Sequence, residues 1–366
     1  MLPGTRVLCY ADDTLVTARG STFAEASRLA TVSASLVARR VQALGLRVSV
    51  PKTEALLFHG PRRGPPRGAQ ITVQGVQVEI KAQMKYLGLT LDGRWSFKGH
   101  FELLAPRLVG AAAALGGFCP TSGGRTQPAG ALWVHALTPQ NITLLRRPQR
   151  VIAVRAIRGY RTVSWTASTL LAGDPPWDLQ AEVLAQVHRY RSSVRTRGER
   201  PGPEEIGRLR TLGREVLVQR WREDLESPVA GIWTVEGIRP HLERWLKRRH
   251  GALTYRLVQV LTGHGCFGKY LHGIARREAS PICHECDAPE DTALHTLAVC
   301  ASWAPQRHAM VSLLDGDLSL PSVINLMLGS EEGWSTVASF CEAVMGLKEA
   351  SEREREQAAD ALPLRR

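Results

Sequence analysis

No run in this 366-residue chain approaches the ~18 consecutive apolar residues that a membrane-spanning helix requires. Its first residues, Met1-Leu2-Pro3-Gly4-Thr5-Arg6, lack the basic-then-apolar order of a secretory signal. No segment recurs at a fixed period, which sets aside solenoid and propeller architectures. The 7 cysteines (Cys9, Cys119, Cys266, Cys283, Cys286, Cys300 and Cys341) are odd in number, and without a signal they argue against a disulfide framework. Acidic residues are missing from 103–173, where Arg107, Arg125, Arg146, Arg147, Arg150, Arg155, Arg158 and Arg161 all fall. What is present is 44% hydrophobic residues, enough for two or three packed units and too much for a disordered chain. Lys+Arg number 47 against 34 Asp+Glu, a net charge of +13, which favours a polyanionic partner without specifying a fold.

Two β-prone runs, Val7–Tyr10 and Thr14–Thr17, flank a short acidic break and read as a hairpin. From Ala24 to Leu44 the residues Leu29, Val32, Leu36, Val41 and Leu44 keep roughly helical spacing, and Gly45 stands where a C-cap glycine is common. Short strands are expected at Leu46–Val50, Ala55–Phe58, Ile71–Val73, Val76–Ile80 and Tyr86–Leu91. The prolines and glycines of Gly60–Gly68 mark a surface loop. Beyond Phe97 the texture becomes helical, with a hinge or loop at Arg197–Pro203. A compact stretch runs from about Gly251 to Trp303, and the tail from Glu349 to Ala359 alternates Glu and Arg like a solvated helix.

The break in the first hairpin is Tyr10-Ala11-Asp12-Asp13. A bare Asp-Asp pair is ordinarily a solvated turn. Two carboxylates held rigidly side by side repel unless a cation lies between them. Two-metal phosphoryl chemistry needs that arrangement, with ions ~3.5–4 Å apart clamping the attacking and leaving oxygens. Chance occurrence of this tetrapeptide is on the order of one per thousand chains of this length, and here it sits between two apolar strands.

These residues resemble the active-site hairpin of reverse transcriptases, whose aspartates bind catalytic magnesium; the resemblance gives Asp12 and Asp13 that role, with Tyr10 and Ala11 shaping the turn. It continues in order. Leu44-Gly45-Leu46-Arg47-Val48 and Lys52-Thr53-Glu54 are similar to the next palm motif, which implies that Lys52 protonates the pyrophosphate leaving group. Lys85-Tyr86-Leu87-Gly88 is similar to the primer grip, a role falling to Tyr86, Leu87 and Gly88.

Near the other end, Cys283-x2-Cys286-x8-His295-x4-Cys300 supplies three thiolates and an imidazole. Four such ligands suit a closed tetrahedral zinc site, structural rather than catalytic. A deaminase-type centre is set aside, because His241-x-Glu243 lies far upstream and the fourth ligand would fill the water position.

Polymerase motifs, an arginine-rich helical stretch and a terminal Cys-Cys-His-Cys cluster together resemble the polyproteins of arthropod non-LTR (LINE-type) retrotransposons. The stretches Tyr160–Ser164, Leu171–Pro176 and Leu261–Leu271 fit that pattern. The implied fold is α+β: a partial palm with an antiparallel sheet and helices over 1–96, and an arginine-rich helical thumb region over 97–250. A zinc-knuckle-like module over 251–310 and a helical tail over 311–366 complete it. Arg146, Arg147, Arg150, Arg155, Arg158 and Arg161 would contact nucleic acid, since each phosphate contact adds close to one unit to the salt slope. The implied partners are an RNA template, a DNA primer or target and deoxynucleoside triphosphates, with no membrane, and the implied location is the nucleus after cytoplasmic synthesis. Reverse transcriptases also use a third carboxylate upstream of the acidic hairpin, so the segment by itself is expected to be inactive. The alternative is a catalytically dead fragment acting only as a zinc-containing nucleic-acid-binding module.

Overall fold

The computed structural model describes residues 2–60, 64–114 and 134–357. Cys119, Arg125, the Pro61–Arg63 part of the surface loop and Ala358-Ala359 of the tail lie outside them. The chain is α+β and divides into two compact units, Met1–Leu104 and Ala105–Arg366.

The first unit opens with the expected hairpin, β1 (Thr5–Tyr10) against β2 (Asp13–Ala18), antiparallel and in register from Thr5↔Ala18 to Tyr10↔Asp13. Helix α1 (Phe23–Ala43) starts at Thr22, whose hydroxyl accepts from the Glu25 N–H at 3.2 Å, while the Glu25 carboxylate accepts from the Ser21 N–H at 2.8 Å. The Thr22 bond satisfies an amide that the first helical turn leaves unpaired, and the Glu25 carboxylate ties down the residue before the cap. Its end is a Schellman turn: Gly45 has φ +77°, Gly45 N–H donates to the Gln42 carbonyl at 2.9 Å, and Leu46 N–H to the Val41 carbonyl at 3.1 Å.

That reversal overturns the strand expected at Leu46–Val50. The segment is irregular and runs into a 3₁₀ turn, Val50–Lys52, with Pro51 at its start; Leu46 is 61% exposed and no strand lies beside it. Next come β3 (Ala55–Leu56), β4 (Gln70–Val73) and β5 (Val76–Lys81), ordered β3-β5-β4. The β4–β5 link is a two-residue turn with Gln74 and Gly75 both at positive φ, matching the right-handed twist of the strands it joins.

The single strand expected at Tyr86–Leu91 is instead a second hairpin, β6 (Gln83–Tyr86) against β7 (Leu89–Asp92), with Leu87 (φ +46°) and Gly88 (φ +81°) as its turn. The anticipated antiparallel sheet is thus three small sheets, and β3 pairs with β5 in parallel. Ala55, Val73 and Val78 form a small core under Ala34 and Val50. Helix α2 (Lys98–Ala114) follows.

Among the described residues the second unit is helical throughout. Its helices are α3 (Pro139–Ala156), α4 (Trp165–Ala172), α5 (Trp177–Thr196), α6 (Pro203–Asp224), α7 (Ile232–Ile238) and α8 (Leu242–Lys247). Then come α9 (Tyr255–Thr262), α10 (Ala304–Leu313), α11 (Leu320–Gly329) and α12 (Glu331–Gln357). The α5–α6 connection falls at the expected hinge. One hydrophobic core runs from Ile157 to Met345 and includes Trp221, Trp245 and Phe267. Buried indoles need a hydrogen-bond acceptor, and Trp245 and Trp334 donate to the carbonyls of Leu170 and Ala252 at 2.9 and 3.2 Å.

The charged tail departs from expectation. Helix α12 is not a solvated rod: Lys348 and Glu352 on one face are buried, and Glu349 accepts from Arg256 at 2.9 Å and Gln259 at 2.7 Å. Those partners lie about ninety residues upstream, so local charge alternation could not report them.

Candidate metal centre and acidic hairpin

The strand pairing places Ala11 and Asp12 in the two-residue turn and Asp13 at the first position of β2. Ala11 has φ +51°, the positive value that the first central residue of a type II′ hairpin turn takes. Asp12 and Asp13 are both exposed, and Tyr10 is 66% exposed. Among the described residues no third His, Cys, Asp or Glu joins them within ligand distance. Lys52 is exposed at the end of its 3₁₀ turn. Glu54, two residues on, accepts from Lys81 Nζ at 2.7 Å and from the Lys85 N–H at 3.2 Å. The Lys81 and Lys85 bonds hold its carboxyl below the usual range. The Lys52-Thr53-Glu54 motif is therefore tied to the start of the Lys85-Tyr86-Leu87-Gly88 motif, and Leu87-Gly88 forms the β6–β7 turn.

Arg146, Arg147, Arg150 and Arg155 lie on α3, with Arg158 and Arg161 just beyond its end. Arg150 serves the fold: its guanidinium donates to the carbonyls of Val163, at 2.8 Å, and Arg161. Arg146 lies 4.3 Å over the Trp165 ring. Arg146, Arg147, Arg155, Arg158 and Arg161 are solvent-exposed.

The four residues of the cysteine–histidine cluster converge. Cys283 Sγ lies 3.9 Å from Cys300 Sγ, Cys286 Sγ lies 3.3 Å from His295 Nε2, and all four ligand atoms fall within 4.8 Å of one another. A tetrahedral zinc with Zn–S bonds of about 2.3 Å sets sulfur–sulfur edges near 3.8 Å, close to the Cys283–Cys300 separation, so the donor set is of the kind that fits zinc.

Local backbone explains the convergence. The Cys283–Ala288 knuckle closes through Asp287 N–H to the Cys283 carbonyl at 2.8 Å and Cys283 N–H to the Ala288 carbonyl at 2.9 Å, with Asp287 at φ +59°. His295–Val299 is a π-helical turn closed by Cys300 N–H to the His295 carbonyl at 2.7 Å. Its wider winding brings residues five apart to one side, where an α-helix would separate them by about 140°. That accounts for the His-x4-Cys spacing. Burial, then Glu285, raises the Cys283 thiol, and burial raises that of Cys300. Without a cation the fold therefore favours Cys283 and Cys300 as neutral thiols, and a metal that bound there would displace their protons.

Four further residues hold the ligand loops, and the spacing of the cluster names none of them. Buried Arg307 donates to the carbonyls of Leu297, Thr296 and Cys300 at 2.7, 3.0 and 2.8 Å, fixing the π-turn. Asp291 accepts from Gly268 N–H at 2.9 Å, Thr296 Oγ1 at 3.0 Å and Lys348 Nζ at 2.9 Å. Gly268 cannot carry a side chain, since a Cβ there would meet the Ile282 carbonyl oxygen at 2.4 Å. Lys348 also donates to Glu285 at 3.0 Å.

No protein-family model matches the chain, and no solved structure matches it. Curated relatives do. A retrovirus-related Pol polyprotein from a type-1 retrotransposable element R1 of Nasonia vitripennis is 24% identical over 370 residues, covering 90% of this chain and 93% of the relative. An R1 Pol polyprotein of Bradysia coprophila is 25% identical, covering 81% of this chain and 32% of the relative. A putative protein of the R1DM element of Drosophila melanogaster is 25% identical, covering 93% of this chain and 35% of the relative. The chain therefore spans most of the first relative and about a third of the other two. The chain is thus similar to retrotransposon proteins, Pol polyproteins among them. All three relatives come from R1-type non-LTR elements of insects.

Proposed function

We propose that this chain is a C-terminal portion of a non-LTR retrotransposon RNA-directed DNA polymerase, comprising palm, helical extension and zinc module. The observation that carries the reading is the β1–β2 hairpin presenting Asp12 and Asp13 at its turn, in a chain related to Pol polyproteins. In the working enzyme Asp12 and Asp13 would hold magnesium, which would supply charge neutralisation at the phosphates of the incoming nucleotide. Tyr10 and Ala11 shape the turn, Lys52 stands ready as proton donor, and the Tyr86-Leu87-Gly88 turn steadies the primer. Exposed Arg147, Arg155, Arg158 and Arg161 meet the phosphates of RNA template and target DNA, in the nucleus where insertion occurs. Cys283, Cys286, His295 and Cys300 hold a structural zinc that supplies cross-linking alone. In a protein extended upstream to the full reading frame, D12N/D13N abolishes primer extension on an RNA template. Undiminished extension would sink the assignment.

A second reading is favoured by one observation: among the described residues Asp12 and Asp13 have no third ligand partner. In that reading this chain binds nucleic acid without catalysing extension. Affinity for RNA or DNA then falls with salt, at about 0.9 logarithmic units per phosphate contact. It survives D12N/D13N and weakens when Arg147 and Arg158 become Gln.

A further inference from the structure

The loop segment that carries the metal ligands also carries carboxylates, and three of these are taken by cations from elsewhere in the unit. Glu290 pairs with Lys269 at 3.0 Å, and Glu285 and Asp291 share Lys348 at 3.0 and 2.9 Å. Lys348 is only 2% exposed and stands on α12, 57 residues beyond Asp291 and 63 beyond Glu285. A lysine so placed is tolerable only when its charge is matched and its donors are used. Cys283, Glu285 and Asp291 form a second trio whose ligand atoms lie within 4.8 Å of one another, sharing Cys283 with the four-ligand set. Glu285 reaches to 3.1 Å from Cys283 Sγ. Left alone, these oxygens would compete with His295 or Cys286 for a cation on Cys283, because zinc accepts carboxylate as well as thiolate and imidazole.

We propose that Lys348 is a positioning residue of the metal centre: its ammonium engages Glu285 and Asp291, so that a cation on Cys283 meets three sulfurs and one nitrogen instead of a mixed sulfur–oxygen set. The proposal rests on the zinc reading above. It makes α12 a working part of the module and assigns its buried lysine the place of a second cation. Residues that orient metal ligands from behind commonly carry about 10–100-fold in metal affinity.

The test loads the purified full chain with cobalt(II), whose visible absorption reports ligand type and geometry. The original protein shows a tetrahedral band and charge-transfer intensity for three thiolates. K348M shifts the band, loses thiolate intensity and binds cobalt and zinc roughly tenfold more weakly. K348R, which keeps the charge, restores both. K348M/E285Q/D291N removes the competing charges together with the lysine, while the amide at 291 can still accept from Gly268 N–H and donate to Thr296 Oγ1, so the loop stays held and the original spectrum recovers; neutral replacement of a buried ion cluster is often well tolerated. A K348M protein that is less heat-stable but has unchanged spectrum and affinity overturns the proposal, reducing Lys348 to a structural ion pair. An altered spectrum in the triple variant overturns it too, and decides the matter if K348M alone does not fold. An unsubstituted chain that binds no cobalt overturns the zinc reading itself, and this proposal falls with it.

Discussion

The two units of this chain are built on opposite economies of burial. In Met1–Leu104 the sheets are two- and three-stranded, the sheet core is three small residues, and large apolar groups stay uncovered: Leu8 is 57%, Leu44 77% and Leu46 61% exposed. In Ala105–Arg366 one continuous core takes in Trp221, Trp245, Phe267, Cys283 and Cys300, with Cys286 packed against it. The first unit presents its motifs on tight, exposed turns. The second gathers its cysteine–histidine cluster in and beside a core. Isolated small sheets are marginal in water, so the difference is one of stability.

The comparison breaks first at the indoles. Trp245→Ala removes a fully buried ring and its bond to Leu170, and should cost the second unit about 3–5 kcal/mol, measured by denaturant unfolding. Hydrogen exchange in β1–β7 should not change. Metal removal should come next in size. Zinc at a thousandfold over its dissociation constant adds about 4 kcal/mol, so a chelator should lower the melting temperature of the second unit and leave the first untouched. Acid should act in the same direction. Burial raises the Cys283 and Cys300 thiols, so the metal-free fold keeps them protonated at neutral pH and metal binding must expel those protons. Zinc affinity should therefore rise with pH and fall between about pH 8 and about pH 6, checked by competition with a chromogenic chelator.

Smaller effects sharpen the account in the first unit. Val78→Ala in the sheet core should cost about 1–2 kcal/mol of that unit alone. Glu54→Gln weakens a largely exposed pair with Lys81 and should cost under about 1 kcal/mol, less in high salt. If Glu54→Gln instead unfolded the unit, the two turn motifs would be joined by more than a surface bond.

How much of this was legible in the sequence depended on range. The first hairpin, the helix ending at Gly45 and the convergence of Cys283, Cys286, His295 and Cys300 are short-range patterns, and each formed as its spacing implied. The Tyr86–Leu91 run hid a turn because Leu87 adopts a positive φ that leucine rarely takes, and nothing before Gly88 signals it. Leu46–Val50 looked like a strand by composition, but strands need a neighbour, and the pairing with β5 begins only at Ala55. The alternating charges of α12 read as solvent-facing because their partners Arg256, Gln259 and Arg277 lie 75 to 93 residues away. For the same reason Asp291 and Lys348 were invisible: each is ordinary alone, and only folding brings them together.

The most direct test of the account is the metal content of the purified chain. Elemental analysis should find one zinc per chain, and Cys283→Ser and Cys300→Ser should each abolish retention through a desalting column. Absence of zinc at neutral pH under reducing conditions, or its full retention in both variants, would contradict a second unit organised round a closed four-ligand centre.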